Sequence, residues 1–108
     1  MMMAAFTEAA APLSVLIVSD DYALRTQVRN AVLGPGRYVF DCNMRDARAL
    51  ARTIQLHAVV VIGEASSQLV ATLQEGLLGA RVQSRRITVV SSAEDATFAL
   101  LRSLDDKR

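Results

Sequence analysis

Five consecutive apolar residues occur in the middle of the chain, Ala58-Val59-Val60-Val61-Ile62, with no polar residue among them. A β-branched run of this length is typical of a strand. Because neither face would carry a polar side chain, we expect the strand to be covered on both faces, as strands of parallel sheets are. This stretch therefore predicts an α/β fold built on a buried parallel sheet.

The segments on either side of this run alternate between strand and helix patterns. Further strands are predicted at residues 14–19, from Tyr38 to about Cys42, and at residues 87–90. Apolar residues at helical spacing predict helices over residues 22–33, after Asn43 as a helix cap, from Ser66 or Ser67 onward, and over residues 94–104. Such βαβα alternation predicts a parallel sheet with helices on both faces, because crossover connections are right-handed.

Length and composition predict one soluble globular domain. The chain has 108 residues, of which 52% are hydrophobic and 21% charged. Residues 1–12 are Ala-rich and lack the basic region of a secretory signal, so we expect a flexible segment followed by a domain at 13–108. A net charge of +1 and the lack of a membrane-length apolar stretch favour a cytoplasmic protein that binds neither nucleic acid nor membrane.

Several kinds of catalytic site are disfavoured by the sequence. The single cysteine, Cys42, excludes an intrachain disulfide or a cysteine-built zinc site. The single histidine, His57, precedes a strand, at the opposite end of the sheet from the serines at 91 and 92, so a catalytic triad is not expected. No glycine-rich phosphate-binding motif follows the first strand. We therefore expect a protein that is not an enzyme.

Polar residues follow three of the predicted strands and suggest a site. They are Asp20 and Asp21, Glu64, and Ser91 with Ser92. The carboxyl ends of parallel strands meet at one edge of a sheet, where open α/β sheets bind ligands. The adjacent carboxylates could hold Mg²⁺. Alternatively one of them caps the next helix and the other is solvated, which is the favoured interpretation for the pair alone.

The stretch Ser19-Asp20-Asp21 and the stretch at residues 89–95 resemble the receiver domain of bacterial response regulators. The resemblance implies a three-layer, flavodoxin-like fold with strand order 2-1-3-4. It also implies that Asp20 and Asp21 bind Mg²⁺, that Glu64 stands at the phosphoacceptor position, and that Ser91 is the switch hydroxyl.

The third strand departs from the receiver pattern, because no Asp occurs between Asp46 and Asp95. Glu64 best fits the acceptor position, although a shift of one or two residues would put Gly63 or Ile62 there. The extra methylene of Glu makes it a poor acceptor, since phosphoryl transfer needs accurate in-line placement. Its carboxylate either imitates the phosphorylated state or simply favours the start of the next helix.

The sequence also has no counterpart of the family's fifth strand or of its lysine, which leaves residues 87–90 as an uncovered edge. We therefore expect a pseudo-receiver that binds proteins without phosphorylation and without a cofactor. The expected partner is a histidine kinase, another signalling protein, or a second copy bound at that edge. The alternative is a Mg²⁺-dependent phosphoacceptor switch using Asp20, Asp21 and Glu64. Predicted partner contacts are Ile87, Val89, Phe98 and Leu101, with Phe98 favoured as a core residue.

Overall fold

The structure is a computed structural model that describes residues 13–54, 56–63, 68–71, 73 and 87–106, with side chains described up to residue 103. The predicted flexible segment at 1–12 lies outside these residues. So do Glu64 and the predicted start of the third helix at Ser66 or Ser67.

The described residues form four parallel strands and helices on both faces of the sheet, in the strand order β2-β1-β3-β4. This arrangement is flavodoxin-like and confirms the predicted fold class and strand order. The elements are β1 (Leu13–Val18), α1 (Tyr22–Val32), β2 (Arg37–Cys42), α2 (Ala47–Thr53), β3 (Ala58–Ile62), α3 (described at residues 68–71 and 73), β4 (Ile87–Val90) and α4 (Ala93–Asp106).

The two central strands are buried along almost their whole length, as the uninterrupted apolar runs predict. All five residues of β3 are buried, and so are residues 14–18 of β1. Alternate residues of each strand enter opposite layers of the core, because successive side chains of a strand point to opposite faces. Val15 and Val60 pack with α1 and α4, whereas Leu16 and Val61 pack with α2 and the buried Leu73 of α3.

Helix α1 lies against the sheet through Val28 and Val32, which are fully buried. It ends at Val32, where Arg37 donates from Nη1 to the Val32 carbonyl oxygen at 2.9 Å. The chain then turns through Gly36, whose φ of 77° is in the left-handed region that glycine adopts without a steric penalty. The Gly34-Pro35-Gly36 stretch thus separates α1 from β2.

The start of α2 differs from the sequence expectation. Asn43 was expected to cap the helix, but α2 begins after Asp46, and Asn43 Oδ1 instead accepts a hydrogen bond from the Asp46 N–H at 2.9 Å. Asn43 therefore closes the turn that precedes the helix, an Asx-type role that competes with capping. None of the described helices has the length and apolar character needed to cross a membrane.

Candidate functional site at the carboxyl edge of the sheet

The carboxyl ends of the four strands lie along one edge of the sheet, which we call the rim. Backbone hydrogen bonds join neighbouring strand ends there: Ser19 N–H donates to Cys42 O at 3.0 Å, and Gly63 N–H donates to Val90 O at 2.9 Å. The predicted meeting of the tips of β1, β3 and β4 is therefore confirmed. The position of Glu64 relative to them lies outside the described residues.

The two acidic residues of the rim both accept hydrogen bonds from the backbone. Asp21 caps α1, since its Oδ1 accepts from the N–H groups of Ala23 at 2.9 Å and Leu24 at 3.2 Å. Asp20 reaches across to the β2–α2 turn, where its Oδ1 accepts from Met44 N–H at 2.9 Å. Asp21 is thus the helix cap that the capping interpretation predicted for one of the pair, whereas Asp20, which it expected to be solvated, is exposed and also holds the β2–α2 turn.

The residue before the acidic pair completes a tightly bonded turn. Ser19 is buried, and its hydroxyl accepts a hydrogen bond from Asp21 N–H at 3.1 Å. Its carbonyl oxygen accepts from Arg25 Nη1 at 2.7 Å. Five oxygens of the Ser19–Asp21 turn therefore accept hydrogen bonds from this chain: the hydroxyl and carbonyl oxygens of Ser19, Oδ1 of Asp20, and Oδ1 and the carbonyl oxygen of Asp21.

Met44 contacts the rim at the ends of β1 and β3, and no feature of the sequence predicted this role. Its backbone binds Asp20, and its Cε lies 3.8 Å from the position that a Cβ on Gly63 would occupy. Gly63 itself has a φ of 119°, which residues with a side chain rarely adopt. Residue 63, one of the alternative acceptor positions, thus has no side chain and has an apolar neighbour.

At the end of β4 the two serines differ in role. Ser91 is exposed at the carboxyl end of the strand, which is where the switch hydroxyl was predicted. Ser92 accepts a hydrogen bond at its Oγ from Asp95 N–H at 3.1 Å, and its carbonyl accepts from Ala96 N–H at 3.1 Å. The Ser92 hydroxyl therefore caps α4.

His57 lies at the opposite edge of the sheet from the rim, as predicted. The ring Nδ1 of His57 accepts a hydrogen bond from the backbone N–H of Ser14 at 3.0 Å, and the backbone N–H of His57 donates to the carbonyl oxygen of Ser14 at 2.7 Å. The histidine therefore joins the amino ends of β1 and β3. This position separates it from the rim serines.

An ion-pair network beside the rim was not anticipated from the sequence. Asp41 on β2 accepts from Arg25 Nε at 2.9 Å and from Arg29 Nη1 at 3.1 Å, which ties α1 to the edge strand. The signal was present, since an acidic residue interrupts an apolar strand and two arginines stand four positions apart on the preceding helix. Arg25 also lies over the ring of Tyr22 at 5.4 Å.

Cys42, at the end of β2, is a buried free thiol, as predicted. Burial, with a smaller contribution from the nearby charge of Asp46, raises the pKa of Cys42 from its ordinary value of 9.0 to about 11. A thiol with such a pKa stays protonated at neutral pH and is a weak nucleophile. Cys42 therefore behaves as a packing residue.

The predicted partner contacts lie on two sides of the sheet. Ile87 is partly buried in the layer that contains α2, and Val89 shares its face because strand side chains alternate. Leu101 packs in the other layer, which contains α1 and α4. Phe98 is 65% exposed on α4, so the favoured expectation that it is a core residue was wrong. The helical spacing predicted the helix correctly, but the residues on its buried face are Ala93, Ala96 and Leu100.

The donor set for a metal was tested on the described residues. Within them, no group of three or more His, Cys, Asp or Glu side chains is close enough to hold a metal ion. Asp20 and Asp21 alone give two carboxylates, each already accepting a backbone hydrogen bond. Within the described residues, a cation at the rim would therefore meet these two carboxylates and no third acidic, histidine or cysteine side chain.

Comparison of the chain with protein-family models, curated proteins and solved structures finds no match. The resemblance to receiver domains therefore depends on the motifs of the rim and on the topology of the sheet.

Proposed function

We propose that this chain is a receiver-like, non-enzymatic module of cytoplasmic bacterial signalling that binds a protein partner without being phosphorylated. The fold supports the receiver-like part of this proposal, since a four-strand parallel sheet in the order 2-1-3-4 is the arrangement that the resemblance implies. Fold alone does not decide function, and two further features support this one: the bonding of the rim and the exposed surface of α4.

The observation that carries the proposal is the bonding of the Ser19–Asp21 turn. Its carboxylates accept backbone hydrogen bonds that cap α1 and hold the β2–α2 turn, and Arg25 occupies the Ser19 carbonyl oxygen. A phosphoacceptor site needs carboxylate oxygens that hold a cation beside an acceptor carboxylate, and here one oxygen of each carboxylate, Oδ1, already holds the local fold. Met44 adds an apolar group at the carboxyl end of β3, 3.8 Å from where a Cβ on Gly63 would lie. These contacts favour a structural rim over a reactive one.

A binding role is supported by α4. Phe98 is a large aromatic side chain with 65% of its surface exposed, and aromatic residues are enriched at protein interfaces. The helix lies beside β4, whose only pairing partner within the described part of the chain is β3. Within the described residues, a strand with one pairing partner next to an exposed aromatic is a surface that another protein could cover.

The proposal is tested by exposing the protein to Mg²⁺ and a small-molecule phosphodonor and measuring its intact mass. We expect no phosphoryl adduct and only weak amide shifts at Asp20 and Asp21 during a Mg²⁺ titration followed by NMR. Glu64→Gln serves as the matched control, because it removes the one carboxylate predicted at the acceptor position.

A stable mass increase of one phosphoryl group, absent in Glu64→Gln, would show that the rim is reactive. That result would favour the alternative function, a Mg²⁺-dependent switch using Asp20, Asp21 and Glu64.

A further inference from the structure

We infer that the outer side of α2 binds an acidic segment of a partner protein through Arg45, Arg48 and Arg52, which we call the α2 arginines. This inference rests on the proposed function, because it names the chemistry of a protein partner at a second surface. All three side chains are exposed. Arg48 and Arg52 lie on the helix, and Arg45 lies in the turn before it.

The packing of α2 directs these side chains away from the core. Ala47 and Ala51 are the fully buried residues of the helix. Arg48 and Arg52 each follow one of these alanines by one position, which places them about 100° further around the helix axis. Residues four apart differ by only about 40° in direction, so the two arginines are neighbours on one exposed side of the helix.

The α2 arginines differ from the two arginines of α1, which are paired with Asp41 and form the two ion pairs found within the described residues. The only acidic residue between positions 43 and 54 is Asp46. It lies one position from Arg45 and two from Arg48, and residues at those spacings on a helix do not face each other. Within the described part of the chain, the α2 arginines thus have no carboxylate partner.

The placement of these charges does not serve the stability of the helix. Arg48 and Arg52 are four positions apart, and like charges at this spacing repel each other. Arg48 also lies in the first turn, where the helix dipole disfavours a positive charge. Since α2 has only seven residues, little of its own structure offsets these effects. A bound anionic group would neutralise both of them.

The carboxylates of a protein segment fit this surface better than nucleic acid or membrane does. A planar guanidinium group binds a carboxylate through two parallel hydrogen bonds. Arg48 and Arg52 are about 6 Å apart along the helix axis, close to the spacing of about 6.6 Å between alternate side chains of an extended segment.

The other two classes of partner lack the features that they need. Three arginines on a chain with a net charge of +1 give few phosphate contacts for a nucleic acid. Within the described residues, none of the exposed large apolar side chains is on α2, whereas a helix that binds a membrane surface buries an apolar face in it.

Binding is tested by titrating the isotope-labelled protein with a synthetic peptide that carries three glutamates at alternate positions, followed by NMR. We expect amide shifts at α2 and a dissociation constant between about 0.1 and 1 mM, as for a few exposed charge-assisted contacts. Arg48→Glu and Arg52→Glu should each weaken binding by about fivefold or more. Arg102→Glu is the matched control, because it changes the net charge equally at an exposed arginine of α4, and it should weaken binding by less than about twofold.

A melting measurement separates a binding role from a structural one. Arg48→Glu turns the repulsive pair into an attractive one and removes a positive charge from the first turn. The melting temperature should therefore rise by about 1–4 °C while peptide binding weakens. A fall in the melting temperature together with weaker binding would overturn the inference, because the side chain would then serve the fold.

The inference also fails if no α2 amide shifts at millimolar peptide, or if Arg102→Glu weakens binding as much as Arg48→Glu does, which would indicate attraction to the net charge alone. Tighter binding of a single-stranded oligonucleotide or of anionic lipid vesicles at α2, at the same salt concentration, would assign the surface to another class of partner. These outcomes are independent of the phosphodonor experiment, so the inference and the proposed function can fail separately.

Discussion

Replacing Asp21 distinguishes the capping role of the acidic pair from a cation-binding role. Asp21→Ala removes the acceptor of two hydrogen bonds from the first turn of α1 and the negative charge near the helix N-terminus. Loss of such a cap costs about 1 kcal/mol, and loss of the charge about 0.3–1 kcal/mol. In a domain of this size, a total of about 1–2 kcal/mol lowers the melting temperature by roughly 4–10 °C.

Asp21→Asn is the matched control for this change. Asn caps helices about as well as Asp, so only the charge contribution should be lost and the melting temperature should fall by a few degrees at most. Thermal and urea unfolding, each measured with and without Mg²⁺, provide the comparison. A rigid cation site predicts the opposite pattern without Mg²⁺: both variants would be stabilised, because a repulsion between adjacent carboxylates is removed. Finding Asp21→Ala more stable than the unmodified protein would refute the capping argument.

Three further predictions concern the network, the thiol and the core. Asp41→Ala should cost about 1–3 kcal/mol in urea unfolding, since it leaves the largely buried Arg25 guanidinium without its carboxylate; a cost below about 0.3 kcal/mol would contradict this. For Cys42, the unfolded thiol ionises at lower pH than the folded one, so stability from this group is complete below pH 9.0 and is lost as the pH rises towards about 11. Cys42→Ala should therefore show a smaller decline of the free energy of unfolding across that interval, and an identical decline would disprove the shift. Leu100→Ala should cost about 2–5 kcal/mol because the side chain is buried, whereas Phe98→Ala should change stability by less than about 1 kcal/mol; equal losses would mean that Phe98 packs in the core.

The parts of the fold that follow from local pattern could be predicted from the sequence. The apolar run at 58–62 indicated a strand buried on both faces, and alternation of strands with helices indicated the parallel sheet. The exposure of Phe98 could not be read in the same way. Helical spacing shows which residues share a face, but small residues such as Ala96 can form the buried face while a larger aromatic points outward. Only the packing of α4 against β3 and α1 decides between these faces.

The candidate site shows a further limit of sequence reasoning. In a parallel sheet, residues that follow different strands meet at one edge whatever their role, so the shared rim of β1, β3 and β4 is required by the topology. Proximity there is necessary for a reactive site and insufficient to establish one.

A reactive rim and a structural rim differ in the hydrogen-bond partner of each oxygen. Asp20 shows why the sequence does not reveal that partner. Its hydrogen-bond donor is the backbone of Met44, 24 positions further on, and a backbone N–H leaves no trace in the residue type. The side chain of Met44 contributes separately, since it packs against the core layer that contains α2 and brings its methyl group near Gly63. The carboxylates of a rim that is acidic in sequence can therefore serve to hold the fold. The exposed face of α4 then says more about how the protein binds a partner.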